Sequence, residues 1–200
     1  TCGSGAFLFA ALNILKPLYE TCIERMQEFN AGNDLLFREQ LDEMDHKYRS
    51  NIQYFIYKSI ILRNLHGVDI MHEATEIARL RLFLKMVAVV DVDRRADNLG
   101  LDPLPDIDFN IRCGNTLIGY ATQQELDNDL TYGDMFANLE FKEKIEEEMD
   151  KTARAYKLFK DIQFTQHEDM DAFKDAKNQL NTRLSSLNNE LNKKLYASTV

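Results

Sequence analysis

Apolar residues recur at helical spacing along most of this chain, and two short apolar segments that end in polar residues interrupt the pattern. After Gly5 the apolar positions follow a three- and four-residue spacing beyond Pro17, which predicts a long helix kinked at the proline. The polar stretch 30–34 predicts the end of that helix, and a second helical pattern then leads into the first apolar segment. The two sets are Leu12, Leu15, Tyr19, Cys22, Ile23, Met26 and Phe29, and then Leu41, Met44, Tyr48, Ile52, Phe55 and Ser59.

The two interrupting segments predict buried strands. Residues 63–70 predict a strand that ends in Asp69, followed by a helix from about Met71 to Val90. Residues 109–119 predict another strand and its exit loop, where Asn115 could donate to and accept from an adenine edge. The apolar face predicted for the helix consists of Ala74, Ile77, Leu80, Leu84 and Val87.

A glycine-rich turn, residues 1–5, runs directly into the first helical pattern. Gly3 and Gly5 can adopt backbone angles closed to other residues, and a helix start offers free N–H groups to an anion or nucleoside. Two glycines alone fit a plain tight turn equally well. However, Asp69 at a strand end is placed to accept hydrogen bonds from two ribose hydroxyls. In this order, the glycine turn and the ends of the two predicted strands predict one nucleoside crevice.

The distance between the glycine turn and Asp69 is unusual. In a compact dinucleotide-type fold the acid follows the turn by about 20 residues, whereas here the distance is about three times longer. This predicts a helical insertion over about 17–62, packed against the sheet. A contact of its charged face with DNA is the alternative.

The composition changes after Tyr120. Residues 121–200 contain no proline and one glycine, Gly133. Heptad-like leucines predict a coiled-coil seam, which needs an upstream helix as its partner. We therefore expect an antiparallel hairpin with a turn near 163–171, acting as a passive insertion or as a spacer or clamp arm between modules. The seam is Leu180, Leu184, Leu187 and Leu191, and its partner face is Phe141, Ile145, Met149, Ala153, Tyr156 and Lys160.

Composition and charge limit the possible environments. With 44% hydrophobic and 28% charged residues, the chain can bury a core. The longest apolar run is too short for a signal peptide or membrane span, so we expect a cytoplasmic protein without membrane contact. The cysteines and histidines lack metal-ligand spacing, which predicts reduced thiols and no metal site. They are Cys2, Cys22, Cys113, His46, His66, His72 and His167.

The net charge of −9 divides into about −4 up to Tyr120 and −5 after it. A surface that neutralises many phosphates should be basic, so we expect few DNA contacts from these residues themselves. The small arginine clusters Arg79/Arg81 and Arg94/Arg95 predict solvated helix faces.

Three strings carry a resemblance to a known family: TCGSGAFL, LHGVDI and LPDIDFNIRCGNTLIGY. Over residues 1–120 the chain resembles the S-adenosylmethionine-binding half of DNA adenine-N6 methyltransferases. Those enzymes occur in large single-chain restriction-modification enzymes of Type IIG and in phage-defence systems. The resemblance implies an α/β fold: a partial Rossmann-like methyltransferase core in 1–120, mostly helical here, followed by the helical hairpin in 121–200. It also implies S-adenosylmethionine as cofactor and double-stranded DNA as the partner of the intact protein.

The resemblance further implies roles for individual residues. Thr1, Cys2, Gly3 and Gly5 would lie along the methionine part of the cofactor. Asp69 would hold the ribose hydroxyls and Ile70 would pack on the adenine. The adenine amino group would face Asn115, and the rest of the pocket would be lined by Thr116 and Leu117.

Several departures from the family pattern qualify the resemblance. The Asp-Pro pair that normally precedes the Thr1 position is missing, and many relatives carry Asp where Asn115 stands. The Asn-Pro-Pro motif followed by Tyr or Phe, which flips and positions the target adenine, does not occur. We therefore expect no catalytic residue within this chain and no activity from it alone, with possible self-association through sheet edges or the leucine seam.

Two other classes of protein compete with this interpretation. A nicotinamide or flavin Rossmann protein would carry a third glycine where Leu8 stands, and an acid closer to the turn. A helical scaffold or coiled-coil module would use the hairpin and would ignore the cofactor. Cofactor binding separates the second class from the methyltransferase.

Overall fold

The computed structural model describes residues 1–32, 35–48, 51–92, 94–95, 104–120, 122–131, 135–165 and 170–197. The chain is mostly helical, with one small parallel sheet, and it divides into two compact units, Thr1–Thr116 and Leu117–Val200. The first unit contains the helices α1 (Ala6–Ala31), α2 (Arg38–Tyr48), α3 (Ile52–Asn64) and α4 (His72–Val87), the strands β1 (Gly67–Asp69) and β2 (Ile111–Cys113), and a 3₁₀ turn, Leu35–Phe37. The second unit contains α5 (Gln123–Thr131), α6 (Met135–Thr165) and α7 (Met170–Ala197).

The sheet consists of β1 and β2, paired in parallel with Asp69 opposite Cys113. Strand β1 is shorter than predicted, because residues 63–64 belong to the end of α3 rather than to β1. The side chain of Asn110 explains this boundary. Its amide Nδ2 donates to the carbonyl oxygens of Ile61, Leu62 and Leu65 at 3.0–3.2 Å. Those bonds satisfy the last carbonyls of α3 and stop the helix just before β1.

The long first helix is confirmed. It runs continuously through Pro17 to Ala31, and the Gly32 N–H donates to the carbonyls of Glu28 and Phe29, so the helix ends where the polar stretch predicted. The second helical pattern is divided into α2 and α3. The kink at Pro17 stays a prediction.

Helix α3 is the centre of the first unit, where it contacts α1, α2 and α4. A continuous run, residues 56–62, is buried, which explains why the helix lacks a clear polar face. The run includes Lys58, whose ammonium lies 5.7 Å from the ring centre of Tyr48 and 6.0 Å from that of Tyr54. These aromatic faces stabilise a cation that is 1% exposed.

Helix α4 lies where the pattern predicted, but the predicted buried face is wrong. Large side chains of the predicted stripe are about half exposed: Ile77, Leu80, Leu84 and Val87. The helix instead buries Thr75, Ala78, Leu82 and Met86. At about 100° per residue, the buried residues lie on nearly the opposite side of the helix from the predicted stripe. The buried face brings the small side chain of Ala78 close to the glycine turn.

Helix α1 changes the expectation about membranes. Within the described ranges it is the one helix long and apolar enough to cross a bilayer, by length and composition alone, with a mean hydropathy of 1.3 over its best window. The prediction from apolar run length overlooked it because Lys16 and Glu20 interrupt the run; these two form an ion pair at 3.0 Å. A core helix or an N-terminal signal sequence satisfies the same test, so this is weak support for a membrane span.

The second unit contains the predicted antiparallel hairpin. Early residues of α6 meet late residues of α7, as in the Lys144–Glu190 ion pair, and later residues of α6 meet early ones, as in the Phe159–Phe173 ring contact. Leu180 is fully buried, and Leu187 and Leu191 pack against the cluster of Leu126 and Ile145.

The partner face predicted on α6 is only partly correct. Ile145 and Met149 face the interior, but the buried positions that follow are Thr152 and Phe159 rather than Ala153 and Lys160. The predicted turn also began too early, because α6 continues to Thr165 with Gln163 buried. The remainder of that turn, 166–169, lies outside the described residues.

Candidate functional site

The glycine turn lies beside β1 and is bound to it by the backbone. The Cys2 N–H donates to the Val68 carbonyl at 2.9 Å, and the Gly5 N–H closes the turn on the Cys2 carbonyl at 3.0 Å. The Gly3 N–H donates to Oδ2 of Asp69, also at 2.9 Å. The turn and the acid predicted to share a site, 66 residues apart in sequence, are therefore in direct contact.

Two glycines are required by space, and one of them, Gly5, is required by its backbone angle as well. Gly5 has φ +88°, and a Cβ at this position would lie 3.2 Å from the Cβ of Ala78 in α4. A Cβ on Gly67 would lie 2.9 Å from the Cβ of Cys2, so strand and turn approach too closely for any side chain. Gly3 differs, because it has φ +53° but a Cβ there would meet no atom within 4 Å. Gly3 thus combines a left-handed backbone with open space beside it.

Asp69 has a structural role that the sequence pattern did not predict. Its Oδ2 accepts from Gly3 and its Oδ1 accepts from the Met71 N–H at 3.0 Å, while the residue is only 6% exposed. These N–H groups, from Met71 first and then Gly3, lower the pKa of the Asp69 carboxyl because they stabilise its charged form. The carboxylate connects the glycine turn to the residues that open α4.

The thiol of Cys2 borders the same carboxylate. Burial, and next the negative charge of Asp69, raise the pKa of Cys2 above its ordinary value. The residue therefore remains a neutral thiol at physiological pH and behaves as a small apolar side chain. Cys22 and Cys113 are exposed, and all three cysteines are free.

Two arginines of α4 bind backbone groups. Arg79 is only partly exposed and so departs from the solvated helix face that the sequence predicted, whereas Arg81 is exposed as predicted. Arg79 donates through Nε and Nη2 to the Ile111 carbonyl at 3.1 and 2.6 Å, and its Nη1 pairs with Glu76 and Asp108. Arg81 donates through Nη1 to the Ser4 carbonyl at 2.9 Å. Arg79 thus binds β2 to α4, and Arg81 binds the glycine turn to α4.

The residues predicted for the adenine side lie where the two strands end. The Gly114 N–H donates to the Asp69 carbonyl at 2.9 Å, and Asn115 follows directly. The side chain of Ile70 is 62% exposed, and Thr116 is exposed as well. Leu117 is the first residue of the second unit, so its place in the pocket stays a prediction. The structure therefore brings three parts of the chain together at the carboxyl edge of the sheet: Thr1–Gly5, Asp69 and Gly114.

This edge fits a nucleoside-type ligand better than a metal ion. Its carboxylate retains acceptor capacity beyond the two backbone bonds, an exposed isoleucine follows it, and the open side of Gly3 allows close approach of a ligand to the main chain. No cluster of three or more metal-binding side chains occurs in the described part of the chain.

The sequence pattern missed three supporting residues. Helical periodicity gave Ala78 and Arg81 no role in a site. Asn110 lay within a motif that gave it no role of its own. The available signal for Asn110 was the lack of a polar cap at the end of α3, since the last backbone carbonyls of that helix need partners from elsewhere. No comparable local signal marks Arg81, because its partner Ser4 lies 77 residues away.

Comparison with known proteins gives one informative relative. Over 135 residues, 65% of this chain, the sequence is 35% identical to a protein of Methanocaldococcus jannaschii whose name is "Putative type II restriction enzyme and methyltransferase". The matched part is 9% of that relative, so this chain is similar to a small segment of a much longer protein. No protein-family model matches the chain, and no solved structure matches it. The chain is thus similar to a segment of a protein named as a restriction enzyme and methyltransferase.

Proposed function

We propose that this chain is the S-adenosylmethionine-binding part of a DNA methyltransferase in a restriction-modification enzyme. The single observation that carries the proposal is the bond between the Gly3 N–H and Asp69 at the carboxyl edge of a parallel strand pair. A glycine turn and an acid are held together there as a nucleoside cofactor would require. The similarity to a restriction enzyme and methyltransferase supports the same class of activity.

When bound, S-adenosylmethionine supplies an electrophilic methyl group for transfer. The residues of this chain would contribute position rather than proton transfer. The turn of Thr1, Cys2, Gly3 and Gly5 would follow the methionine part of the cofactor. Asp69 would accept from the ribose hydroxyls with its remaining lone pairs, and Ile70 would cover one face of the adenine. Asn115, flanked by Thr116, would recognise the adenine edge, since its amide both donates and accepts.

More specifically, we propose that the parent protein is a Type IIG-like enzyme that methylates the N6 of adenine in double-stranded DNA. This assignment rests on the string LPDIDFNIRCGNTLIGY and on the order of the motifs. The motif that handles the target base is absent from these residues, so the proposal assigns cofactor binding here and base recognition elsewhere. The net charge of −9 supports this division, because an acidic surface is repelled by phosphates.

Calorimetric titration with S-adenosylhomocysteine, a stable product analogue, tests the proposal. We expect the chain to bind, and we expect Asn115→Ala to weaken binding about tenfold through loss of the adenine contact. Asn178→Ala, an exposed asparagine on α7, is the matched control and should bind like the wild type. A folded wild-type chain that releases no heat with this ligand would contradict the proposal and favour a helical scaffold without cofactor. Binding of NAD in preference would favour a nicotinamide protein.

A further inference from the structure

Arg81 makes two contacts that meet on the residues around the glycine turn. Its Nη1 donates to the Ser4 carbonyl at 2.9 Å. Its guanidinium carbon lies 4.5 Å from the centre of the Phe9 ring, in the first turns of α1. A planar guanidinium can stack on an aromatic ring and donate at its edge at the same time. The ring therefore limits the orientations from which Arg81 reaches the turn.

The bond to Ser4 fixes a peptide group that would otherwise be able to rotate. In a trans peptide the carbonyl oxygen and the next N–H point in opposite directions. With the Ser4 oxygen held toward α4, the Gly5 N–H points away from it, to the Cys2 carbonyl 3.0 Å away. Glycines on both sides of Ser4 would permit other orientations of this peptide at low cost.

Helix α4 supports the same peptide by packing. Ala78, one turn before Arg81, lies 3.2 Å from the Cβ position of Gly5. Its short side chain sets how closely the turn approaches the helix, while Arg81 sets the direction of the carbonyl. Asp69 holds the other end of the turn through the Gly3 N–H.

We propose that Arg81 is a positioning residue for the cofactor turn, acting through the Ser4–Gly5 peptide. The inference rests on the proposed function, because the turn is taken as the binding element. Arg81 orders the turn before a ligand arrives, so that binding does not have to supply the ordering. Its removal should weaken cofactor affinity without unfolding the unit, since the side chain is exposed and leaves no cavity.

The experiment compares Arg81→Ala, Arg81→Lys and Arg25→Ala in the full chain. Arg25 is the matched control, because it is exposed on α1 and pairs with Glu28 one turn away on the same helix. We expect Arg81→Ala to raise the Kd for S-adenosylhomocysteine about fivefold, with an unchanged thermal midpoint. Arg81→Lys, which keeps one donor and the charge, should recover about half of the lost binding free energy. Arg25→Ala should change neither quantity.

Amide hydrogen exchange of the ligand-free protein is a second measurement, which tests directly whether Arg81 orders the turn. The bonded amides of Gly3, Gly5 and Phe9 should exchange about fivefold faster in Arg81→Ala, while the buried amides of α3 remain unchanged. Unchanged affinity and unchanged exchange of these three amides would overturn the proposal. If the wild type does not bind the ligand, the proposed function fails, and the exchange rates alone decide whether Arg81 orders the turn.

Discussion

The two units of this protein are stabilised in different ways. In the unit Thr1–Thr116, polar side chains bind backbone groups 45–77 residues away: Asn110 caps α3, and Arg81 and Asp69 hold the glycine turn. In the unit Leu117–Val200, buried apolar side chains lie between helices, and the polar contacts are mostly ion pairs one turn apart. The proposed cofactor site requires specific geometry, whereas a hairpin needs only matching faces.

The ion pairs of the hairpin add little to this comparison. Lys151 pairs with Glu147 and Glu148 at 2.9 Å, and Lys144 pairs with Glu190 at 3.5 Å. All are partly exposed, and exposed pairs typically contribute less than about 1 kcal/mol each. The stability of the second unit therefore depends on Ile145, Phe159 and Leu180, which are almost completely buried.

The largest expected effect comes from Asn110→Asp. A carboxylate at this buried position would face three carbonyl oxygens instead of donating to them, and a buried unpaired charge is very costly. We expect loss of the folded first unit, measured by circular dichroism and by amide protection of α3. Asn178→Asp on the exposed surface of α7 is the matched change in the second unit and should leave both units folded. Retention of α3 protection in Asn110→Asp would mean that this cap is dispensable.

A large effect confined to the second unit is expected from Leu180→Ala. Leu180 is 0% exposed, so the substitution leaves a cavity and should cost about 3 kcal/mol of unfolding free energy. Urea denaturation, followed by signals from α6 and α7, measures this cost. The control is Leu158→Ala, at a position 56% exposed, which should change the unfolding free energy by less than about 0.5 kcal/mol. Equal effects of the two substitutions would contradict the conclusion that Leu180 lies in the core of the hairpin.

Alanine substitutions of the two glycines of the turn are expected to lower the unfolding free energy by moderate but different amounts. Gly5→Ala combines a left-handed backbone with a contact 3.2 Å from Ala78, whereas Gly3→Ala meets open space. We expect Gly3→Ala to cost about 1 kcal/mol of unfolding free energy and Gly5→Ala to cost about 2 kcal/mol or more. Urea denaturation of the first unit measures both. If Gly3→Ala were the more damaging, the open space beside Gly3 would be misassigned.

The smallest expected effect is a pH dependence that belongs to Asp69. The folded-state pKa lies below its ordinary value of 3.8, so the stabilisation is present above that value and disappears as the pH falls through the folded pKa. Asp69→Asn does not titrate and should be less stable than the wild type at pH 7. The difference between the two should shrink below about pH 4. Thermal midpoints of both proteins between pH 2 and 7 measure it, and a constant difference would contradict the bonds to Gly3 and Met71.

Much of the architecture was predictable because it follows local rules. Helical periodicity located α1, α4 and the hairpin, and the glycine turn, Asp69 and β2 were placed in the correct order. The buried face of α4 was not predictable. Apolar residues occupy two nearly opposite faces of this helix, and periodicity cannot choose between them. Contact with Gly5 decided the choice, since only a face with a small residue at Ala78 permits that approach.

The sequence by itself indicated α1, α4, the hairpin of α6 and α7, the two short strands and the candidate site residues, because spacing and turn chemistry act over a few neighbours. Tertiary structure alone decided which polar residues hold the site together. Arg81 resembles any exposed helix arginine until Ser4 and Phe9 are placed beside it. The sequence indicates Asp69 only as a ligand-binding acid, and the tertiary structure adds that both of its oxygens accept from backbone N–H groups. Such bonds join residues far apart in the chain, so no local pattern of apolar and polar positions encodes them.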